Sequence, residues 1–262
     1  ILIMIVGVPS RTLPIKKNLK ILKKIGYDGF QFDLSVCGID TFKKSFLLDS
    51  EEDKCVKKIK KLSQDLNFPV LAAHTFYPLN SEDDTIIETF KKHLEHLKIL
   101  NCKYLILHIS GYNKDKQRLK KAINNLNKIK SIYKKKGCEI LLENDHKPSL
   151  FITIKDIEKI TSKIKLNLCF DVTHAMQSNV NLDNFYSKFN KKIKAFHLSD
   201  FKEGKAHKEI GTGILKKFNC FKKIIASKKL LILEVGKDVK KAKTMKEVTK
   251  IYKNSFLEVK NK

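Results

Sequence analysis

Eight times along the chain, a short run of β-prone apolar residues gives way to a longer stretch with apolar residues at helical spacing. That alternation is the tightest constraint on the fold. The β-prone runs are residues 1–8, GFQFDL (29–34), PVLAAH (69–74), YLILH (104–108), 139–143, 166–171, the run from Ile193 to His197, and LLILE (230–234). The helical patterns fall at Ile15–Ile25, Glu51–Leu66, Asp83–Leu100, Lys116–Lys135, Ser149–Ile160, Asn181–Phe189, Leu215–Ala226 and Val239–Leu257. Over 262 residues this gives about 32 residues per βα unit, the count of a (β/α)8 TIM barrel in the α/β class. A doubly wound open sheet shares the alternation, but no GxGxxG or P-loop glycine fingerprint follows the first run. No long polar linker interrupts the pattern, so residues 1–262 read as a single domain.

The ends of the β-prone runs carry the chemistry. His74, His108, Glu143, Asp171, His197 and Glu234 each stand at or next to the C-terminal end of an expected strand, and in a barrel those ends converge on one face. Inward carboxylates and imidazoles at such density call for a divalent cation between them. The mixed nitrogen and oxygen donors suit Mn2+, Zn2+, Co2+ or Fe2+ rather than a thiolate zinc site. Glu143, Asp171, His197 and Glu234 form the expected metal set; His74, His108 and His207 are further candidates for metal or substrate binding. His174, three residues after Asp171, is placed to reach the same site, whereas His93 and His96 sit mid-helix and are expected to face solvent. In the seventh unit, His197 is followed by Asp200, by His207, and by the Gly211–Gly213 turn before the next helix.

Charge and cysteines bound the remaining classes. A net charge of +26 ordinarily points to nucleic acid. Here Arg11 and Arg118 are the only arginines, and the lysines recur along every helical pattern instead of forming one patch, as solvated helix faces do. The six cysteines include no CxxC pair and read as reduced core residues of a cytoplasmic protein. The first run, ILIMIVGV, is too short to span a bilayer, so no membrane partner is expected. Residues 1–3, before Met4, read as a start-site artefact.

At LLEN (141–144), CFDVTHA (169–175), FHLSD (196–200), HKEIGTG (207–213) and LILEV (231–235) the sequence resembles the metal-binding segments of the xylose isomerase-like TIM barrel superfamily. AAHTFYPLN (72–80) and LILHISG (105–111) are further matches. That superfamily holds sugar and sugar-phosphate isomerases and epimerases and the endonuclease IV type of abasic-site nuclease (AP endonuclease family 2). The isomerase branch implies one divalent metal on Glu143, Asp171, His197 and Glu234, with Glu143 and Glu234 handling the proton, His174 touching a substrate oxygen and Asp200 orienting His197. It implies a small sugar, sugar phosphate or related polyol as substrate and proton transfer through a metal-stabilised enediolate.

The nuclease branch implies abasic DNA and two or three Zn2+. His74, His108 and Glu143 match one site, Glu143, Asp171, His197 and Glu234 a second, and His174 with His207 part of a third, where the usual aspartate is Lys205. His74, Tyr77 and Asn80 also match that branch, with Tyr77 as its DNA-contacting aromatic, whereas its early GG loop is replaced by PSRTLP. In the isomerase reading the loop lysines Lys202, Lys205 and Lys208 are candidates to meet a substrate phosphate. A third class, a non-catalytic barrel binding a polyanion or partner through its lysine-covered surface, predicts no tightly held metal. The isomerase or epimerase leads, and the oligomeric state is not legible.

Overall fold

The computed structural model describes residues 2–6, 15–34, 50–77, 79, 85–109, 116–146, 149 and 151–260. Outside them lie Gly7, Val8, the PSRTLP segment with Arg11, Cys37, Asn80 and the Asp83–Asp84 start expected for the third helix.

Eight strands run parallel and close on themselves. They are β1 (Leu2–Val6), β2 (Gly29–Asp33), β3 (Val70–Thr75), β4 (Tyr104–Leu107), β5 (Glu139–Glu143), β6 (Asn167–Asp171), β7 (Ile193–Leu198) and, after a hairpin, β10 (Leu230–Leu233). Each pairs with its neighbour in chain order, and β1 pairs with both β2 and β10, which completes a TIM barrel. The helices α1 (Ile15–Ile25), α2 (Ser50–Asp65), α3 (Ile86–Leu100), α4 (Lys116–Lys135), α5 (Ile154–Ile164), α7 (Leu182–Phe189), α8 (Asn219–Ala226) and α10 (Met245–Lys260) alternate with the strands. Short helices α6 (Val172–Gln177) and α9 (Gly236–Lys241) follow β6 and β10.

The period of two along a strand sorts the core into layers. Outward residues such as Phe30, Phe32, Leu105, Leu142, Phe170, Phe196 and Leu233 pack against the helices. The inward set is small and separate: Ala72, Ile106, Leu141, Cys169, Ala195, Leu230 and Ile232. Every expected strand-end ligand stands two residues beyond a member of that set: Ala72 then His74, Ile106 then His108, Leu141 then Glu143, Cys169 then Asp171, Ala195 then His197, Ile232 then Glu234. The pleat therefore puts all six into the next layer up, at the C-terminal mouth of the barrel.

Three expected helices differ, each for a local reason. The Ser149–Ile160 helix starts at Ile154, where Thr153 and Asp156 form a capping box, and runs on to Ile164. Val239–Leu257 is two helices. The second is started by Thr244 and Glu247, whose side chains take backbone N–H groups of Glu247, Lys243 and Thr244. Leu215–Ala226 opens as a 3-10 turn (Leu215–Lys217), and extended Phe218 separates it from α8.

The polar segment after His197 is a β-hairpin, β8 (Asp200–Lys202) and β9 (Lys205–Lys208). Its turn residues Glu203 and Gly204 both have positive φ, as a two-residue hairpin of matching twist requires. Asp200 then fixes the glycine turn by accepting the backbone N–H groups of Phe201, Gly211, Gly213 and Leu215, all at 2.9 Å. Gly213 cannot be larger, because a Cβ would lie 2.3 Å from the Phe201 carbonyl oxygen.

Of the cysteines, Cys102, Cys138, Cys169 and Cys220 are free thiols as expected. Cys55 is disulfide-bonded, which corrects the all-reduced reading. No helix among the described residues is long and apolar enough to cross a membrane.

Candidate metal centre at the barrel mouth

Glu143, the last residue of β5, is buried and uses both oxygens. Oε1 lies 2.9 Å from His197 Nδ1 and 3.5 Å from His174 Nδ1; Oε2 lies 3.1 Å from His74 Nε2 and 3.6 Å from His108 Nε2. Burial alone would raise its pKa, but the positive charge available on His197 and His108 outweighs this and holds the carboxyl well below its usual range.

Asp171, at the end of β6, divides its oxygens between two tasks. Oδ1 caps α6, accepting from the Thr173 and His174 backbone N–H groups at 2.7 and 2.8 Å and from the Thr173 hydroxyl at 2.9 Å. Oδ2 is buried with no hydrogen-bond partner. Glu234, just beyond β10, is the counterpart: its Oε2 is also buried and unbonded, 3.5 Å from His197 Nδ1 and 3.7 Å from His207 Nδ1. Burial, then the charges of Asp171 and Glu143, push the Glu234 pKa well above its usual value. Asp171 is held low because His174 and His207 outweigh its own burial.

His197 completes the group. Its Nε2–H donates to Gln31 Oε1 at 3.0 Å, which turns Nδ1 toward the oxygens of Glu143, Glu234 and Asp171 at 2.9, 3.5 and 4.0 Å. A lone pair aimed at three carboxylates requires a proton or a cation between them. Ligand atoms of Glu143, Asp171, His197 and Glu234 all fall within 4.8 Å of one another, and those of His74, His108 and Glu143 form a second such group sharing Glu143. Two bare buried carboxylate oxygens and an imidazole nitrogen among hard oxygen donors fit a divalent ion of the Mn2+, Fe2+, Co2+ or Zn2+ kind. Cys169 lies close enough to join, but burial keeps its thiol protonated, its pKa pushed well above the usual value.

The remaining expectations divide. His174 reaches the cluster from α6. Burial would lower its pKa, but Asp171 and Glu143 raise it. His207 reaches it from β9 with φ +58, an uncommon backbone for histidine, and burial takes its pKa down to about 4.

Asp200 does not orient His197, because its oxygens are committed to the glycine turn; Gln31 does that work. Tyr77, the match to the DNA-contacting aromatic, is buried against Phe90 and His93, and its neighbour Phe76 is the exposed one, 49% accessible and stacked 5.8 Å from His108. His93 and His96 are both fully buried, not solvated. Lys202 and Lys205 are exposed, and Lys208 is paired with Asp238.

Gln31, Asn144, Asp145 and Phe76 were not anticipated. Gln31 had a signal, since it is a polar residue at an inward position of GFQFD, on the same face as Asp33.

Residues 19–254 match the family described as "Xylose isomerase-like TIM barrel". No curated protein matches the chain. Among solved structures, the 3-keto-D-glucoside 4-epimerase YcjR from E. coli superposes with a TM-score of 0.75 at 13% identity, covering 100% of this chain and 99% of that one. The IOLI protein, in a structure with a bound zinc atom, gives 0.76 at 20% identity over 98% and 97%. An AP endonuclease, family 2, from Brucella melitensis gives 0.68 at 12% identity over 89% and 91%. At these identities the likeness is one of fold.

Proposed function

The chain belongs to the xylose isomerase-like TIM barrel family, and from that premise we propose that it is a divalent-metal-dependent isomerase or epimerase of a sugar, sugar phosphate or related polyol. The observation that carries this reading is the convergence of Glu143, Asp171, His197 and Glu234, with Asp171 Oδ2 and Glu234 Oε2 buried and unbonded. These four would hold the ion, and Gln31 would fix the ring of His197 from behind. A divalent cation there supplies the polarisation of a carbonyl and its neighbouring hydroxyl that acidifies the C–H between them.

The chain's own residues do the rest. Glu143 and Glu234 take the proton from one carbon and return it to the adjacent carbon or the opposite face. His174, its Nδ1 donating to the Asn144 carbonyl at 3.0 Å, keeps Nε2 for a substrate oxygen. The sugar epimerases among the similar structures support this reading as analogues of fold.

One observation favours a second reading, an abasic-site endonuclease. His74 and His108 bring ligand atoms to Glu143 as a second metal group. The inward turn of Tyr77 and the exposed Lys205 at the position of a ligating aspartate weigh against it.

Incubation of metal-loaded protein with a panel of keto sugars and their phosphates in D2O tests the first reading. Deuterium should enter the carbon beside the carbonyl, and Glu143→Gln should lower the rate by roughly 10²–10⁴-fold, the range for a lost general base. No incorporation from any sugar, together with Glu143-dependent nicking of an abasic duplex, would replace it with the second.

A further inference from the structure

Beside the four-residue centre stands another group, of which the reading above uses only His174. Asp145, His146 and His174 each offer one ligand atom, and the three atoms lie within 4.8 Å of one another. We propose that this trio holds a second divalent cation of the zinc or cobalt kind, between the loop after β5 and α6.

The described residues at the start of that loop are tied down by hydrogen bonds. Asn144 clasps the β6 end, its Oδ1 accepting from the Asp171 N–H and its Nδ2 donating to the Asp171 carbonyl, both at 2.8 Å. The Asp145 N–H donates to the Phe151 carbonyl at 2.9 Å. Asp145 is itself buried; its Oδ1 accepts the His146 backbone N–H at 2.9 Å, and its Oδ2 faces the mouth, 3.8 Å from His108 Nδ1. His108 Nδ1 is buried with no hydrogen-bond partner.

His174 commits Nδ1 to the Asn144 carbonyl, so Nε2 is the nitrogen with a lone pair. The His146 ring packs 4.8 Å from the His174 ring, and its Nδ1 stands 3.4 Å from Asp145 Oδ1, long for a hydrogen bond. Two donors from the loop after β5 and one from α6, brought within reach of one another, match the imidazole and carboxylate mixture that a borderline cation accepts.

This site departs from the pattern the resemblance implies, in which His174 and His207 share an ion with an aspartate. Here Lys205 occupies the aspartate position and is exposed, while His207 turns to Glu234 at 3.7 Å. Asp145 brings a carboxylate to His174 from the β5 loop instead of from the hairpin. With the ion bound, His174 would meet a substrate oxygen through it. The second site does not depend on the isomerase reading.

Chelator-stripped full-length protein is loaded with Co2+ or Zn2+, desalted, and its metal content read by mass spectrometry for wild type, Asp145→Asn, His146→Gln and Glu143→Gln, with circular dichroism as the check on folding. Asp145→Asn and His146→Gln should each carry one equivalent less than wild type. Wild-type metal content in the folded loop variants would overturn the proposal, and if one of them fails to fold the other decides. Unchanged content in Glu143→Gln with a loss in His146→Gln would sink the four-residue centre while leaving the second site standing.

Discussion

Two groups of buried and half-buried histidines sit in this barrel, and they differ in what surrounds them. At the mouth, His74, His108, His174, His197 and His207 crowd around Glu143, Asp171 and Glu234, and two carboxylate oxygens are left bare. On α3, His93 packs against the rings of Phe90 and Tyr77, and His96 Nε2 is 3.0 Å from Asp53 Oδ1 of α2, which Lys92 also reaches at 2.7 Å. There the carboxylate is matched by partners, and burial with the nearby His96 takes the His93 pKa down to about 3, so the ring is a neutral part of the core. Buried histidine alone does not mark a site; an unmatched buried carboxylate beside it does.

The comparison can be broken from either side. The larger effect is expected at the mouth. Gln31→Leu removes the acceptor that turns His197 Nδ1 toward the carboxylates, and should weaken Mn2+ affinity about 10–100-fold by calorimetry, the usual cost of losing such a support. Unchanged affinity would mean that the strand geometry alone aims the ring.

The smaller effect belongs to the helix pair. Burial lowers the pKa of both His93 and His96 in the folded chain, so the unfolded chain binds more protons there. The His93 contribution is complete above the unfolded histidine value of about 6.5 and is lost as pH falls from there toward about 3, at up to about 1.4 kcal/mol per pH unit, and His96 acts in the same direction. Asp53, held low by Lys92, acts in the same direction at the acid end of that window. Urea unfolding across the window should show this slope flattened in His93→Leu; identical slopes would show that the ring is not held neutral.

Much of this was legible in the sequence because one rule, the period of two, does most of the placing. Strand runs ending in His74, Glu143, Asp171 and His197 could be read directly, and the pleat then forces those side chains to one layer. Helix ends were less legible. Thr153–Asp156 and Thr244–Glu247 are capping signals that the apolar period hides, since a box four residues long outweighs a continuing apolar stripe. Asp200 was misread because a carboxylate near His197 in sequence had four backbone amides to serve first. His93 and His96 were misread because His96 meets Asp53 of α2 and His93 meets the ring of Tyr77, contacts that only the assembled barrel reveals.

The most direct test is a calorimetric titration of chelator-stripped wild type and Asp171→Asn with Mn2+. Asparagine caps a helix about as well as aspartate, so α6 should survive while the bare anionic oxygen is lost. Tight binding by the wild type, weakened at least a hundredfold in the variant at unchanged melting temperature, is the predicted result. Equal affinity in both proteins would contradict a metal centre at the barrel mouth.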